Sequence, residues 1–299
     1  MSVILPWFSP RHDTSNTDIR TCLSDNWHYR LNNMRSALIN LHLTTIGLLS
    51  YTLFLVGCGQ AMLSDEHLAN RSKKEFVKMK QKETISSNAS HQAMIKEIGE
   101  RIAGVAQVDL PGTAWEFVVF QKGDANAFAM PGGKVGVNSG LIDLAAGNED
   151  EIAAVMGHEI AHVALRHSNK RMSQAIGLGV GGVILDVALR NQSSTERMLG
   201  RAAYGVGSTV GVALPFSREN EKEADHRGLF YAAMAGYDPR GAVSFWRKME
   251  AKNKGKRMPQ FLSTHPNPGN RIQFLEQNMD HALGLYRQAK QARGERPNP

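Results

Sequence analysis

The sequence predicts an α+β fold, mostly helical, with one small antiparallel sheet beside a long helix near the middle of the chain. Apolar residues recur at helical spacing over 90–107, 148–167 and from 270 onward. Between 115 and 138 the pattern changes to short runs rich in aromatic and β-branched residues, Trp115 to Phe120 and Lys134 to Asn138, around the turn Pro131-Gly132-Gly133. With 299 residues, 42% hydrophobic and 21% charged, the chain can bury a sizeable core, and wholesale disorder is excluded.

The formal charge of +7 is modest for this size, and the basic residues are spread along the chain. Nucleic acid is therefore not an expected partner, whereas an anionic membrane surface would account for the same balance. Of the two cysteines, Cys22 and Cys58, neither lies in the central region, so no disulfide is expected there. Residues 36–57 contain no Asp, Glu, Lys or Arg, and Arg35 stands just before them. A basic start, an apolar middle and then Leu55-Val56-Gly57-Cys58 resembles a bacterial lipoprotein signal, with cleavage before Cys58 and lipid on its sulfur. Gly59-Gln60 follow without an aspartate, which resembles the sorting pattern for outer-membrane retention. A plain uncleaved anchor is the alternative, because the stretch is long enough to span a bilayer. Met34 would be a natural start for such a signal. The expected organisation is an extension and signal over 1–57, a tether or surface helix over 58–84, and one domain over 85–299.

Within that domain, Met94, Ile98, Ile102 and Val105 give the first helix a one-sided apolar stripe. Trp115–Phe120 reads as a strand. Lys134, Val135, Gly136, Val137 and Asn138 read as a second, an exposed edge that could hold an extended peptide through backbone hydrogen bonds. A helix starts at Leu141 and is interrupted near Gly147. Asn148-Glu149-Asp150-Glu151 then loads acids onto the start of the central helix, where they suit its dipole.

That helix carries Gly157-His158-Glu159-Ile160-Ala161-His162. On a helix His158 and His162 lie one turn apart on one face, with Glu159 about 100° around. Two imidazoles so placed can share one zinc ion, and the carboxylate between them suits a base that takes a proton from water. His167 would fall about 180° from His158 on the same helix, which reads as a surface or capping position. Residues 172–189 and 202–216 are apolar and glycine-rich. They read as a pair of helices forming a mobile lid over 172–216, or leaning on a membrane or partner, with a re-entrant hairpin as the alternative. Zinc held by two histidines needs a third protein ligand, and Glu221 is the candidate. Asp225, one turn later, can accept the outer N–H of a zinc-bound imidazole, while Glu223 should face away from Glu221.

Further on stand Gly236-Tyr237-Asp238-Pro239, Ser263-Thr264-His265-Pro266 in a turn-rich loop, and Arg271-Ile272 opening an amphipathic helix. Together with Asn126-Ala-Phe-Ala-Met-Pro-Gly-Gly-Lys-Val135, Ser139-Gly-Leu141, the His158 to His162 motif, Ser217-Arg218 and Glu221-Lys-Glu-Ala-Asp225, these residues resemble one family. It is the gluzincin metallopeptidase family of HtpX, the CAAX prenyl endopeptidase, the mitochondrial Oma-type protease and periplasmic BepA and LoiP. The resemblance implies a zincin-like domain holding one zinc ion per chain on His158, His162 and Glu221, with Glu159 as general base and Asp225 behind the ligands. In related periplasmic enzymes the histidine at the place of His265 approaches the metal or the substrate oxyanion; a satisfied loop histidine is the competing reading here. The expected function is zinc-dependent hydrolysis of misfolded or unassembled cell-envelope proteins, by an enzyme lipid-anchored at the periplasmic face of the outer membrane. The alternative is a chaperone or assembly factor working with the outer-membrane assembly machinery, its zinc site self-inhibited.

Overall fold

The computed structural model describes residue 34 and residues 63–253, 261, 263, 265 and 270–298, with backbone alone at 212, 214–216 and 253. All of these but Met34 belong to one compact unit, Val56–Pro299. The lipidation candidate Cys58 and the expected boundary at 57/58 lie outside the described residues.

Helix α1, Asp65–Lys82, lies in the stretch read as a tether or surface helix. Ser64 caps it by accepting the His67 N–H, acids open it, lysines close it, and Leu68, Ser72 and Phe76 form a buried row. Phe76 sets its ring edge-on to Phe120 and Phe128 of the sheet. Helix α2, Ala89–Ala106, is capped by Asn88 and buries Ile95, Ile98, Ile102 and Ala106.

The sheet has three strands, β1 (Glu116–Phe120), β2 (Ala127–Met130) and β3 (Lys134–Asn138), in the order β1-β3-β2. The β2–β3 hairpin is antiparallel, turning through Gly132 and Gly133 at φ 79° and 77°, conformations that favour glycine. The β1–β3 pair is parallel, so the small sheet is mixed. This order corrects the reading of Lys134, Val135, Gly136, Val137 and Asn138 as an exposed edge. That strand is the central one, paired on both sides and buried throughout. Val135 and Val137 join the main core, and Gly136 lies under the rings of Phe120 and Phe128, where a Cβ would sit 2.3 Å from Phe128. Lys134 is buried yet satisfied, donating to the Ala114 carbonyl at 2.9 Å. The edge strands are β1, which carries a bridge from Ile85 to Phe120, and β2.

After the short helix α3 (Ser139–Leu144), Ala146 and Gly147 take left-handed conformations and end it. Helix α4, Glu149–Ala164, follows; Asn148 accepts the Glu151 N–H, and the helix is buried on nearly every side. It runs through the core between α2, the β2 edge, α7 (Leu214–Met234) and α8 (Arg240–Asn253). Its closest neighbour is α7, and the contact is backbone on backbone. A Cβ on Gly157 would come within 2.6 Å of the Gly228 carbonyl, and one on Gly228 within 2.6 Å of the His158 nitrogen.

Between α4 and α7 the chain forms two helices, α5 (His167–Ala188) and α6 (Ser194–Ser208); the second starts before the expected 202–216, whose remainder is a π-helical turn at Thr209–Ala213 and the start of α7. Its apolar residues are largely exposed, among them Val183, Val187, Met198, Leu199, Val206 and Val210. Among the described residues no helix is long and apolar enough to cross a membrane. Helices α9 (Arg271–Gln277) and α10 (Met279–Ala292) break at Asn278 where one continuous helix was expected, and α10 packs on α7.

Candidate metal centre

The Gly157–Gly228 contact sets the geometry of the site. It draws α7 against α4 so that Glu221 and Asp225, two turns and one turn before Gly228, come level with the two motif histidines. His158 Nε2 and His162 Nε2 stand 3.0 Å apart. Glu221 lies against both, 3.3 Å from His158 and 3.4 Å from His162. His265 arrives from its loop, with Nδ1 3.3 Å from His158 Nε2 and 3.2 Å from either oxygen of Glu221. One donor atom from each of these four buried residues lies within 4.8 Å of all the others. Two imidazoles, a carboxylate and a further imidazole are the nitrogen and oxygen donors that zinc takes. The cluster fits a single zinc ion.

Glu159 points beside the cluster. Its Oε1 is buried without a hydrogen-bond partner and stands 3.2 Å from His265 Nε2 without the alignment of a bond. The predicted partner Asp225 lies behind His158, its Oδ1 3.0 Å from Nδ1.

Arg271, whose role the sequence left unread, completes this side. Its Nη2 donates to Asp225 at 2.5 Å and Nη1 to Glu221 at 3.3 Å, all three groups being buried. His167 and Glu223 were also missed. Helix α4 ends at Ala164, and Arg166 takes a left-handed φ of 57°, so α5 begins at His167 and returns toward the site. His167 is 1% exposed, with Nδ1 2.8 Å from His162 Nδ1 and Nε2 3.0 Å from Glu223. Glu223 does face away from Glu221, as helical spacing predicts, but onto a histidine expected at the surface.

Charge in the metal-free cluster follows from burial and pairing. Burial opposes protonation of His158, as does Arg271, yet hydrogen bonds to Asp225 and Glu221 outweigh both and push it up to about 9. Burial would raise Glu221, but the histidines facing it hold its carboxyl far below the usual carboxylate range. Burial and the neighbouring His158 charge hold His162 well below the histidine range. Burial likewise lowers His167, against the pull of Glu223. A metal ion entering the cluster would displace the His158 proton.

A cleft of about 190 Å³ opens beside the cluster, bordered by Asn126, Ala127 and Ala129 along β2 and by Glu159, His162 and His265. Residues 89–279 match Peptidase family M48. The chain belongs to that family. Within M48 it is 34% identical over 193 residues to the mitochondrial metalloendopeptidase OMA1 of Arabidopsis thaliana, covering 64% of this chain and 37% of that protein. It is 36% identical over 172 residues to mitochondrial OMA1 of Schizosaccharomyces pombe, covering 56% and 48%. To the beta-barrel assembly-enhancing protease of Escherichia coli it is 31% identical over 185 residues, covering 60% and 37%. The chain spans less than half the length of each of these three relatives. An M48 domain together with the His158, His162, Glu221 and His265 cluster supports zinc metalloendopeptidase activity.

Proposed function

We propose that this chain is a zinc-dependent metalloendopeptidase that cleaves misfolded or unassembled cell-envelope proteins. The observation that carries the reading is the convergence of His158, His162 and Glu221 on one point, with the Glu159 carboxylate alongside. His158, His162 and Glu221 are the zinc ligands on this reading, and Asp225 fixes the His158 tautomer from behind. Zinc, when bound, would polarise the scissile carbonyl and acidify the attacking water. Glu159 takes the proton from that water and returns it to the leaving amine. His265 donates toward the developing oxyanion. The substrate lies extended along the free edge of β2, whose residues border the cleft, and backbone pairing there accepts a chain of any sequence.

Membership of M48 and the similarity to a beta-barrel assembly-enhancing protease support envelope proteins as the substrate class. The lipoprotein-like stretch ending at Cys58 supports a lipid anchor at the periplasmic face of the outer membrane, with α1 between it and the peptidase domain over 85–299, packed on that domain's sheet through Phe76. The test is metal analysis together with Glu159→Gln. About one zinc per chain, kept in Glu159→Gln while cleavage of an unfolded protein is abolished, supports the reading; unchanged turnover in that variant ends it.

One contact favours a second reading, a latent site serving an assembly factor. His265 touches the metal-ligand set through Nδ1 and the base through Nε2, as a group closing the site at rest would. Rescue of an envelope-assembly defect by Glu159→Gln protein would decide for it.

A further inference from the structure

We propose that His167, backed by Glu223, positions the imidazole of His162 for zinc: an imidazole–carboxylate relay that does for His162 what Asp225 does for His158. The inference rests on the reading of His158, His162 and Glu221 as zinc ligands.

The assignment follows from counting ring protons. His162 turns Nε2 into the cluster, 3.0 Å from His158 Nε2 and 3.4 Å from Glu221, which leaves Nδ1 pointing out at His167 Nδ1, 2.8 Å away. Two ring nitrogens at that distance share one hydrogen, so one donates and the other accepts. For Nε2 of His162 to offer its lone pair to zinc, its proton must sit on Nδ1, which makes His167 Nδ1 the acceptor. The one ring proton of neutral His167 is then on Nε2, 3.0 Å from Glu223 Oε2, where it is donated to a carboxylate. Lys170 holds that same oxygen at 3.2 Å. The opposite arrangement would put the His162 proton inside the cluster and remove it as a ligand.

Backbone geometry points the same way. His167 reaches this position only because Arg166 adopts a left-handed φ of 57°, which breaks α4 and restarts the chain as α5. For a residue with a side chain, that conformation costs roughly 1–2 kcal/mol. Strain of this kind persists where surrounding contacts demand it, and here it delivers a buried imidazole to the outer nitrogen of a ligand.

Outer partners of this type typically change metal affinity by about 10–100-fold. The experiment measures zinc affinity of the full chain by competition with a chromogenic chelator, alongside thermal unfolding of the metal-free protein. His167→Phe keeps a ring and loses both nitrogens. His167→Gln can reach Glu223 but offers His162 no acceptor, and His167→Asn restores an acceptor near the Nδ1 position. The expected result is zinc dissociation constants raised about 10–100-fold in the Phe and Gln variants. Most of that loss should be recovered in Asn, without metal-free stability following the same order. Zinc bound by His167→Phe as tightly as by the unsubstituted chain, or by His167→Asn no better than by Phe, would overturn the relay. An unsubstituted chain that binds no zinc would instead remove the site reading itself. Should the His167 variants fail to fold, Glu223→Ala decides, because that side chain is 40% exposed and tolerates removal. Several-fold weaker zinc with unchanged metal-free melting supports the relay, and unchanged affinity overturns it.

Discussion

The guanidinium of Arg271 stacks on Trp246, its carbon 3.8 Å from the ring centroid, and from that perch it reaches Asp225 and Glu221. Stacking fixes the plane of the fork, so the two acids are held in one orientation behind the histidines. Arg271→Met would leave the buried Asp225 and Glu221 carboxylates with only the histidines to face, a loss of up to about 3–5 kcal/mol. Arg271→Lys keeps a charge but cannot form the fork, and should fall in between. Urea unfolding of the metal-free protein measures both; a Met variant as stable as the unsubstituted chain would show that the ion cluster contributes nothing.

The α4–α7 contact gives a second prediction. Gly228→Ala places a methyl 2.6 Å from the His158 backbone nitrogen, where nothing flexible can yield, so the two helices must separate. The expected cost is about 1–3 kcal/mol, with zinc binding weakened as Glu221 moves off the histidines. Gly104→Ala, at an exposed position of α2, is the contrast, since nothing lies within 4 Å of its added methyl. It should stabilise by about 0.5–1 kcal/mol. Equal melting temperatures for the two variants would refute the argument.

How much of this was legible follows from where each partner lies. His158, Glu159 and His162 are readable because one helical turn relates them, and Glu221 and Asp225 because the same spacing recurs on α7. Strands β1 and β3 were readable as strands, but β2 (Ala127–Met130) was not, and neither was the strand order. Inserting β3 between β1 and β2 depends on pairings made across the sheet, and the run Lys134 to Asn138 looks the same at an edge as at the centre. His167 was misread because a helical wheel continues past Ala164, and no residue type there announces the left-handed turn at Arg166. Arg271 was seen only as part of a motif; its contacts lie 46 and 50 residues away at Asp225 and Glu221.

Alkaline pH tests a buried tyrosine beside the domain core. Tyr237 is buried under the Arg101 guanidinium, its hydroxyl lacks an aligned hydrogen-bond partner, and burial pushes the phenol up to about 12. An unfolded tyrosine ionises near about 10, so the folded chain holds this proton more tightly. Its contribution to stability is therefore whole below about pH 10 and is lost as pH rises through about 12. Tyr237→Phe should be within about 1 kcal/mol of the unsubstituted protein near neutrality and should lose less stability above about pH 10. Tyr231, raised by burial and by Asp109, adds a slope of the same sign that the variant keeps. Urea midpoints at about pH 8 and about pH 11 decide, and identical slopes for the two proteins would sink the idea.

His265 offers the most direct functional prediction. It lies stacked on Phe261, centroids 4.6 Å apart and planes 28° from parallel, with its backbone N–H donating to the Phe261 carbonyl at 2.8 Å. Held in this way it stands against the zinc-ligand set and the base at once, and a catalytic zinc needs one position left open. If closure of the resting site outweighs the oxyanion contact, His265→Ala should keep zinc on the three remaining ligands and cleave an unfolded protein several-fold faster. Phe261→Ala, which loosens the stack while keeping the imidazole, should do the same to a smaller degree. If His265 instead serves only the oxyanion, its loss would lower turnover by about 10²–10³-fold with zinc retained, and Phe261→Ala would slow the enzyme too. Turnover and zinc content measured on the two variants separate a blocking histidine from a purely catalytic one.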